Sequence, residues 1–199
     1  YCVYEDKNRK VWIGTAGEGL NMLDYVTQNV KVFKYEKNNK NTISDNTVNC
    51  IYDDRKGNLW IGTSNGLNKL DVKKMEFTQY NEKDGLPNGN IWGILGDKRG
   101  NLWISTNKGV TRFNPKVDNK EGSAFKNFTI HDGLQGDEFA QGAYFQNRLT
   151  GEMFFGGLNG FNAFYPDNVS DNNHVPPVYI TSVKKFGKET ALDSSVNVK

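Results

Sequence analysis

The chain has 199 residues, 36% of them hydrophobic and 24% charged, with a formal net charge of +2. That balance excludes a disordered tail, and the interspersed charges give no basic stripe for nucleic acid. No apolar run approaches the ~20 residues of a membrane helix, so direct membrane insertion of this segment is not expected.

Tyr1-Cys2-Val3-Tyr4 reads as a strand and has no signal-peptide anatomy. The chain is therefore expected to begin inside a larger protein. Asp6 to Thr15 then opens a pattern that recurs. Asp54-Arg55-Lys56-Gly57-Asn58-Leu59-Trp60-Ile61-Gly62-Thr63 is repeated as Asp97-Lys98-Arg99-Gly100-Asn101-Leu102-Trp103-Ile104-Ser105-Thr106, and Gly151 to Gly157 is a degenerate fourth copy. The anchors Trp12, Trp60, Trp103 and Phe154 stand 48, 43 and 51 positions apart. That period fits one four-stranded propeller blade per copy.

Within a copy the parts follow in order. Val48 to Tyr52 and Ile91 to Leu95 are apolar first strands. An Asp- and Gly-containing turn closes a hairpin into the Trp-bearing second strand. Ser64-Asn65-Gly66 turns into a third strand, Leu67 to Leu70. Phe77-Thr78-Gln79-Tyr80 alternates as a half-exposed fourth strand, matched by Val32 to Tyr35 and Phe125 to Phe128. No window has a 3.6-residue apolar period, so essentially no helix is predicted. The fold class is all-β: a β-propeller of four consecutive four-stranded blades, at about 1–47, 48–87, 88–136 and 137–175. Trp12, Trp60 and Trp103 are read as core between blades, and Asp6, Asp54 and Asp97 as turn caps.

The repeat D-[RK]-x-G-N-L-W-[IV]-G-T-x-x-G-L resembles the two-component regulator propeller repeat of bacterial sensor proteins. Asp84-Gly85-Leu86-Pro87 and Asp132-Gly133-Leu134-Gln135 look like that family's inter-blade link, and Phe155 to Pro166 looks like its closing blade. The resemblance implies the C-terminal portion of a propeller from the extracytoplasmic region of a histidine kinase, hybrid two-component protein or diguanylate cyclase. It implies that Pro176 to Val183 begins an immunoglobulin-like linking module, so that 176–199 is either a last strand or a truncated start of that module. The repeat is also similar to the Asp-box of sialidase propellers, but the order Ser-x-Asp-x-Gly-x-x-Trp is not present. The fourth blade shows no clear fourth strand. A homodimer closing the partial ring into eight blades is expected, with a closed four-bladed monomer as the alternative.

Chemistry is thin. Neither His131 nor His174 has a metal-ligand spacing, and Cys2 and Cys50 form no C-x-x-C pair. Asp137-Glu138 is the one carboxylate pair near the expected pore mouth. No catalytic residue, metal or cofactor is expected. Ligand candidates are the residues of loops entering the innermost strands: Asn46, Asn49, Asn88, Asn90, Trp92 and Gln141. Trp92 aligns with Asn49 and Ala143, so it stands outside the repeated core pattern. An aromatic beside amides suits a carbohydrate or another small molecule. The function implied is an extracytoplasmic, ligand-sensing domain; a protein-docking platform and, further off, a carbohydrate-active enzyme are the other readings.

Overall fold

The structure, a computed structural model, describes residues 1–117 and 124–170 and two short strands further on. Four antiparallel sheets follow one another along the chain. The first holds β1 (Cys2–Glu5), β2 (Lys10–Gly14), β3 (Leu20–Asp24) and β4 (Val30–Phe33). The second holds β5 (Val48–Asp53), β6 (Asn58–Thr63), β7 (Gly66–Asp71) and β8 (Glu76–Tyr80). The third holds β9 (Ile91–Gly96), β10 (Leu102–Thr106), β11 (Gly109–Phe113) and β12 (Phe125–Phe128). The fourth has three strands among the described residues, β13 (Phe139–Gln146), β14 (Met153–Gly157) and β15 (Gly160–Phe164). Each sheet is a meander, so the strand order is the chain order and the first strands line the axis. This is a four-bladed β-propeller arrangement, as the repeat period implies. Among the described residues helix is confined to single 3₁₀ turns at Glu82–Asp84, Ile130–Asp132 and Pro166–Asn168.

Separately, Val183–Lys185 (β16) and Lys188–Thr190 (β17) pair as a hairpin in a second unit. The rest of the segment read as a linking module, and His174, lie outside the described residues.

Three clusters hold the blades together, one for each consecutive pair. Trp12 and Leu20 of the first blade meet Leu59, Ile61, Leu70 and Phe77 of the second. Trp60 and Leu67 of the second meet Leu102, Ile104, Phe113 and Phe125 of the third. Trp103 and Val110 of the third meet Met153 and Phe155 of the fourth. In every case the Trp-bearing face of one blade lies on the apolar back of the next, aliphatic and phenylalanine side chains together. A glycine in the second strand permits this spacing: a Cβ at Gly62 would lie 2.6 Å from Cγ2 of Ile91 on the next innermost strand.

The anchors are 0%, 1% and 2% exposed for Trp12, Trp60 and Trp103. Burying one indole is worth roughly 4–6 kcal/mol before entropy is subtracted. Burial also strands an N–H that must find an acceptor. The Asp six positions earlier supplies it. The indole Nε1–H groups of Trp12, Trp60 and Trp103 donate to Oδ2 of Asp6, Asp54 and Asp97 at 3.1, 3.4 and 3.1 Å. The other oxygen of the same carboxylate accepts backbone N–H groups of the hairpin: Asn8 and Lys10 on Asp6, Lys56 and Asn58 on Asp54, Asn101 on Asp97. One side chain thus closes the turn and satisfies the buried indole. The degenerate copy loses both partners together. Phe154 has no N–H to satisfy, and Asn147 only caps the turn, accepting from the N–H groups of Leu149 and Thr150.

The links between blades reuse one device. Asn81 and Asp84, then Thr129 and Asp132, form reciprocal capping boxes around a single 3₁₀ turn, and Gly85 (φ 116°) and Gly133 (φ 96°) leave it in the left-handed region. Leu86, next in chain, is buried between the second and third blades.

Asp97→Ala is expected to cost about 1–3 kcal/mol, because it leaves the Trp103 N–H buried without an acceptor. In a Trp103→Phe background the same change is expected to cost measurably less. A double-mutant cycle by urea denaturation checks this; strictly additive costs would contradict the coupling.

Candidate functional site

Each innermost strand runs from the link end of the blade to the Asp hairpin, a span of roughly 17–20 Å for six residues. At the link end the ladder is interrupted. In the second blade Cys50 pairs with Gly62 but Val48 with Thr63, so Asn49 is an extra residue. In the third, Gly93 pairs with Ser105 but Ile91 with Thr106, so Trp92 is extra. In the fourth, pairing lapses between Phe139 and Tyr144, the stretch that holds Gln141 and Gly142. A bulge turns a side chain away from the alternation of its strand. The three interruptions therefore set Asn49, Trp92 and Gln141 at equivalent places on successive innermost strands, around one end of the axis.

What those side chains do differs. Asn49 is 3% exposed. Its Nδ2 donates to the carbonyl of Ile91 at 3.0 Å and to Oδ1 of Asn90 at 3.3 Å, stitching the second blade to the third. Its carboxamide is spent on that joint, which the sequence, reading it as a ligand contact, does not reveal. Asn46 is also a bracket: its carbonyl accepts from the N–H groups of Gly17 and Gly19, and its Oδ1 from the N–H of Tyr35 at 2.8 Å. Asn88 Oδ1 accepts the N–H of Asn90 at 3.0 Å. Asn90 is half-buried, and Gln141 is exposed.

Trp92 is half-buried. Part of the ring packs on the cluster between the third and fourth blades, while its Nε1–H donates to Oδ1 of Asn107 at 2.6 Å. Asn107 lies in the turn after β10, and it was not among the candidates. Its place, right after the Thr106 that ends a Trp-bearing strand, is the only sequence signal for it. Trp92 and Asn107 together present an aromatic surface with a fixed amide edge, the arrangement that stacks a flat apolar face and hydrogen-bonds a polar rim. Asp137 caps the 3₁₀ turn before the fourth blade, accepting the N–H of Ile130 at 2.9 Å, and Glu138 is exposed. His131 is exposed on that turn.

Clefts open at the opposite end, between neighbouring Asp hairpins. The first and second blades flank about 210 Å³ lined by Tyr4, Asp53 and Arg55. The second and third flank about 310 Å³ lined by Tyr52, Lys56, Lys69, Lys98 and Lys116. The third and fourth flank about 270 Å³ lined by Lys98, Gln146 and Asp167. They recur once per blade pair and so follow from the repeat itself. In the first, the Tyr4 hydroxyl donates to Oδ2 of Asp53 at 2.6 Å; burial first, then that bond, holds the phenol above its ordinary pKa.

Cys2 and Cys50 lie at matching places on the first two innermost strands and are free thiols. Burial pushes both thiols above their ordinary value. The unfolded thiol ionises near about pH 8.5 and the buried ones do not, so rising pH beyond that point favours the unfolded chain. Among the described residues no group of three or more His, Cys, Asp or Glu side chains is placed to hold a metal ion. No helix there is long and apolar enough to cross a membrane.

Comparisons with known proteins agree with this architecture. The family model described as two component regulator propeller matches residues 42–65 and 85–108, the second and third copies of the repeat from inter-blade link to second turn. No curated protein matches the chain. Among solved structures, the extracellular domain of a hybrid two component system from B. thetaiotaomicron is 25% identical with a TM-score of 0.76, over 96% of this chain and 26% of that one. A second such domain from the same organism is 24% identical with a TM-score of 0.66, over 84% of this chain and 23% of that one. Virginiamycin B lyase from Staphylococcus aureus is 13% identical with a TM-score of 0.53, over 83% of this chain and 55% of that one, which is a likeness of fold alone. The chain spans about a quarter of the two extracellular domains.

Asn49→Ala is expected to lower stability by about 1–2 kcal/mol, since the Ile91 carbonyl loses its side-chain donor. The neighbouring Cys50 thiol serves as the gauge. In the native protein at pH 8 it is expected to resist a thiol reagent, and the variant is expected to react faster as the joint opens. Prompt labelling of Cys50 in the unaltered chain would contradict the packing.

Proposed function

We propose that this chain, which carries two component regulator propeller repeats, is part of the extracytoplasmic sensing region of a two-component-type signalling protein. The observation that carries the reading is the fit of 96% of the chain to the extracellular domain of a hybrid two component system. The chain's role in this reading is recognition without chemistry, and the signal passes to an output domain elsewhere in the protein. A carbohydrate or a similarly flat, hydroxylated small molecule binds at the link end of the axis. There the Trp92 ring stacks on the ligand, with Asn90, Asn107 and Gln141 as the amides that orient it. Binding shifts the protein between two arrangements only to the extent that the ligand prefers one of them.

Screening an oligosaccharide panel by thermal shift tests this. One compound class is expected to raise the melting temperature and change the tryptophan fluorescence. Trp92→Ala is expected to lose binding at least tenfold while keeping the unliganded melting temperature within a few degrees, because Trp92 lies outside the repeated anchor positions. A panel without effect, or full binding by the variant, would contradict the assignment.

A further inference from the structure

The three clefts between Asp hairpins are built alike but not lined alike. Charges lining the first cancel, Lys7 and Arg55 against Asp6 and Asp53. Those lining the third run negative, Lys98 against Asp97 and Asp167. The second sets Lys56, Lys69, Lys98 and Lys116 against Asp54 and Asp97. Both of those carboxylates already accept N–H groups of their own hairpin and an indole N–H. Among the described residues none of the four lysines pairs with a carboxylate. The cations also converge. The Lys56 and Lys116 ammonium nitrogens stand 3.3 and 3.7 Å from the point that a Cβ at Gly100 would take. Lys116 is held there by donating to the carbonyl of Arg99 at 3.1 Å, and Lys69 lies over the Trp60 ring, its Nζ 5.8 Å from the centroid. Like charges held this close repel, and an anion between them removes the repulsion.

One repeat position leaves room for it. The last residue of the innermost strand, paired with the residue before the anchor aromatic, is Asp53, Gly96 and Gln146 in the second, third and fourth blades. Asp53 puts a carboxylate into the first cleft, where the Tyr4 hydroxyl donates to it at 2.6 Å. Gln146 enters the third cleft and donates to the carbonyl of Gly96 at 3.2 Å. Gly96 puts no side chain into the second. Tyr52 is the counterpart of Tyr4, since it pairs with Trp60 as Tyr4 does with Trp12. Its hydroxyl lies over Gly96, where a Cβ would meet it, and has no hydrogen-bond partner among the described residues. The second cleft thus keeps the phenol donor of the first and lacks the carboxylate that answers it.

We propose that the cleft between the second and third blades binds a small dianion from solution, a phosphate monoester on a sugar-sized molecule. The lining carries two more cations than carboxylates, and a phosphate monoester brings close to two negative charges at neutral pH on one group. Ammonium groups and a phenol are donors that its oxygens accept. The cleft, at about 310 Å³, has room for the sugar as well. This site stands at the opposite end of the axis from Trp92 and works without it.

Titration calorimetry of the chain at low ionic strength tests this with glucose 6-phosphate, glucuronate and glucose as probes. Glucose 6-phosphate is expected to bind, roughly tenfold or more tightly than the singly charged glucuronate, and to weaken as salt is added. The double variant Lys56→Gln/Lys98→Gln, altered at two exposed side chains, is expected to lose binding roughly tenfold or more with its melting temperature kept within a few degrees. Gly96→Asp restores the carboxylate of the first cleft and is expected to abolish binding with an unchanged circular dichroism spectrum. Trp92→Ala is expected to bind the phosphate as the unaltered chain does, which separates this site from the carbohydrate reading. Absence of binding, equal binding of glucose or glucuronate, or full binding by the lysine variant would overturn the proposal. Loss of binding in Trp92→Ala would do so too, because it moves the anion to the link end.

Discussion

An indole buried between two sheets is both the main source of adhesion and a liability. Its area holds neighbouring blades together, and its N–H, cut off from water, would cancel much of the gain if left alone. A carboxylate six residues earlier removes the liability while tightening the hairpin that carries the indole to its place. Everything else in the propeller follows from that local arrangement. The hairpin fixes which face of the strand the tryptophan leaves by, the face decides which blade it meets, and the small residue two positions later lets the next innermost strand approach. The fourth blade illustrates the dependence: Phe154 replaces the indole and Asn147 replaces the carboxylate, so need and supply vanish together.

The repeat made the blades legible. Period, hairpin turns and alternation fall out of the residue types alone, because a twisted strand pair closed by Asp and Gly has few alternatives. The second purpose of Asp6, Asp54 and Asp97 was not legible. Turn capping is a contact within five residues of chain, whereas the indole bond depends on the tryptophan rotamer that packing against another blade selects. Sequence sees the first and not the second.

The candidate site shows the same limit more sharply. Aligning Asn49 with Trp92 is correct at the level of strand position, and both are the extra residue of a bulge. What each does there depends on which neighbour is within reach. Asn49 finds the carbonyl of Ile91 and is consumed by structure, while Trp92 finds Asn107 and keeps part of its ring at the surface. Bulges are a matter of register between two strands, which no single strand announces.

The central claim is that three tryptophans share one environment and the fourth does not. Indole N–H exchange, followed by nuclear magnetic resonance on protein labelled at tryptophan, examines it directly. The expected result is slow exchange for the Nε1–H groups of Trp12, Trp60 and Trp103, held by carboxylates inside blade joints, and fast exchange for Trp92. Three anchors exchanging as quickly as Trp92, or one of them behaving unlike the other two, would contradict the account.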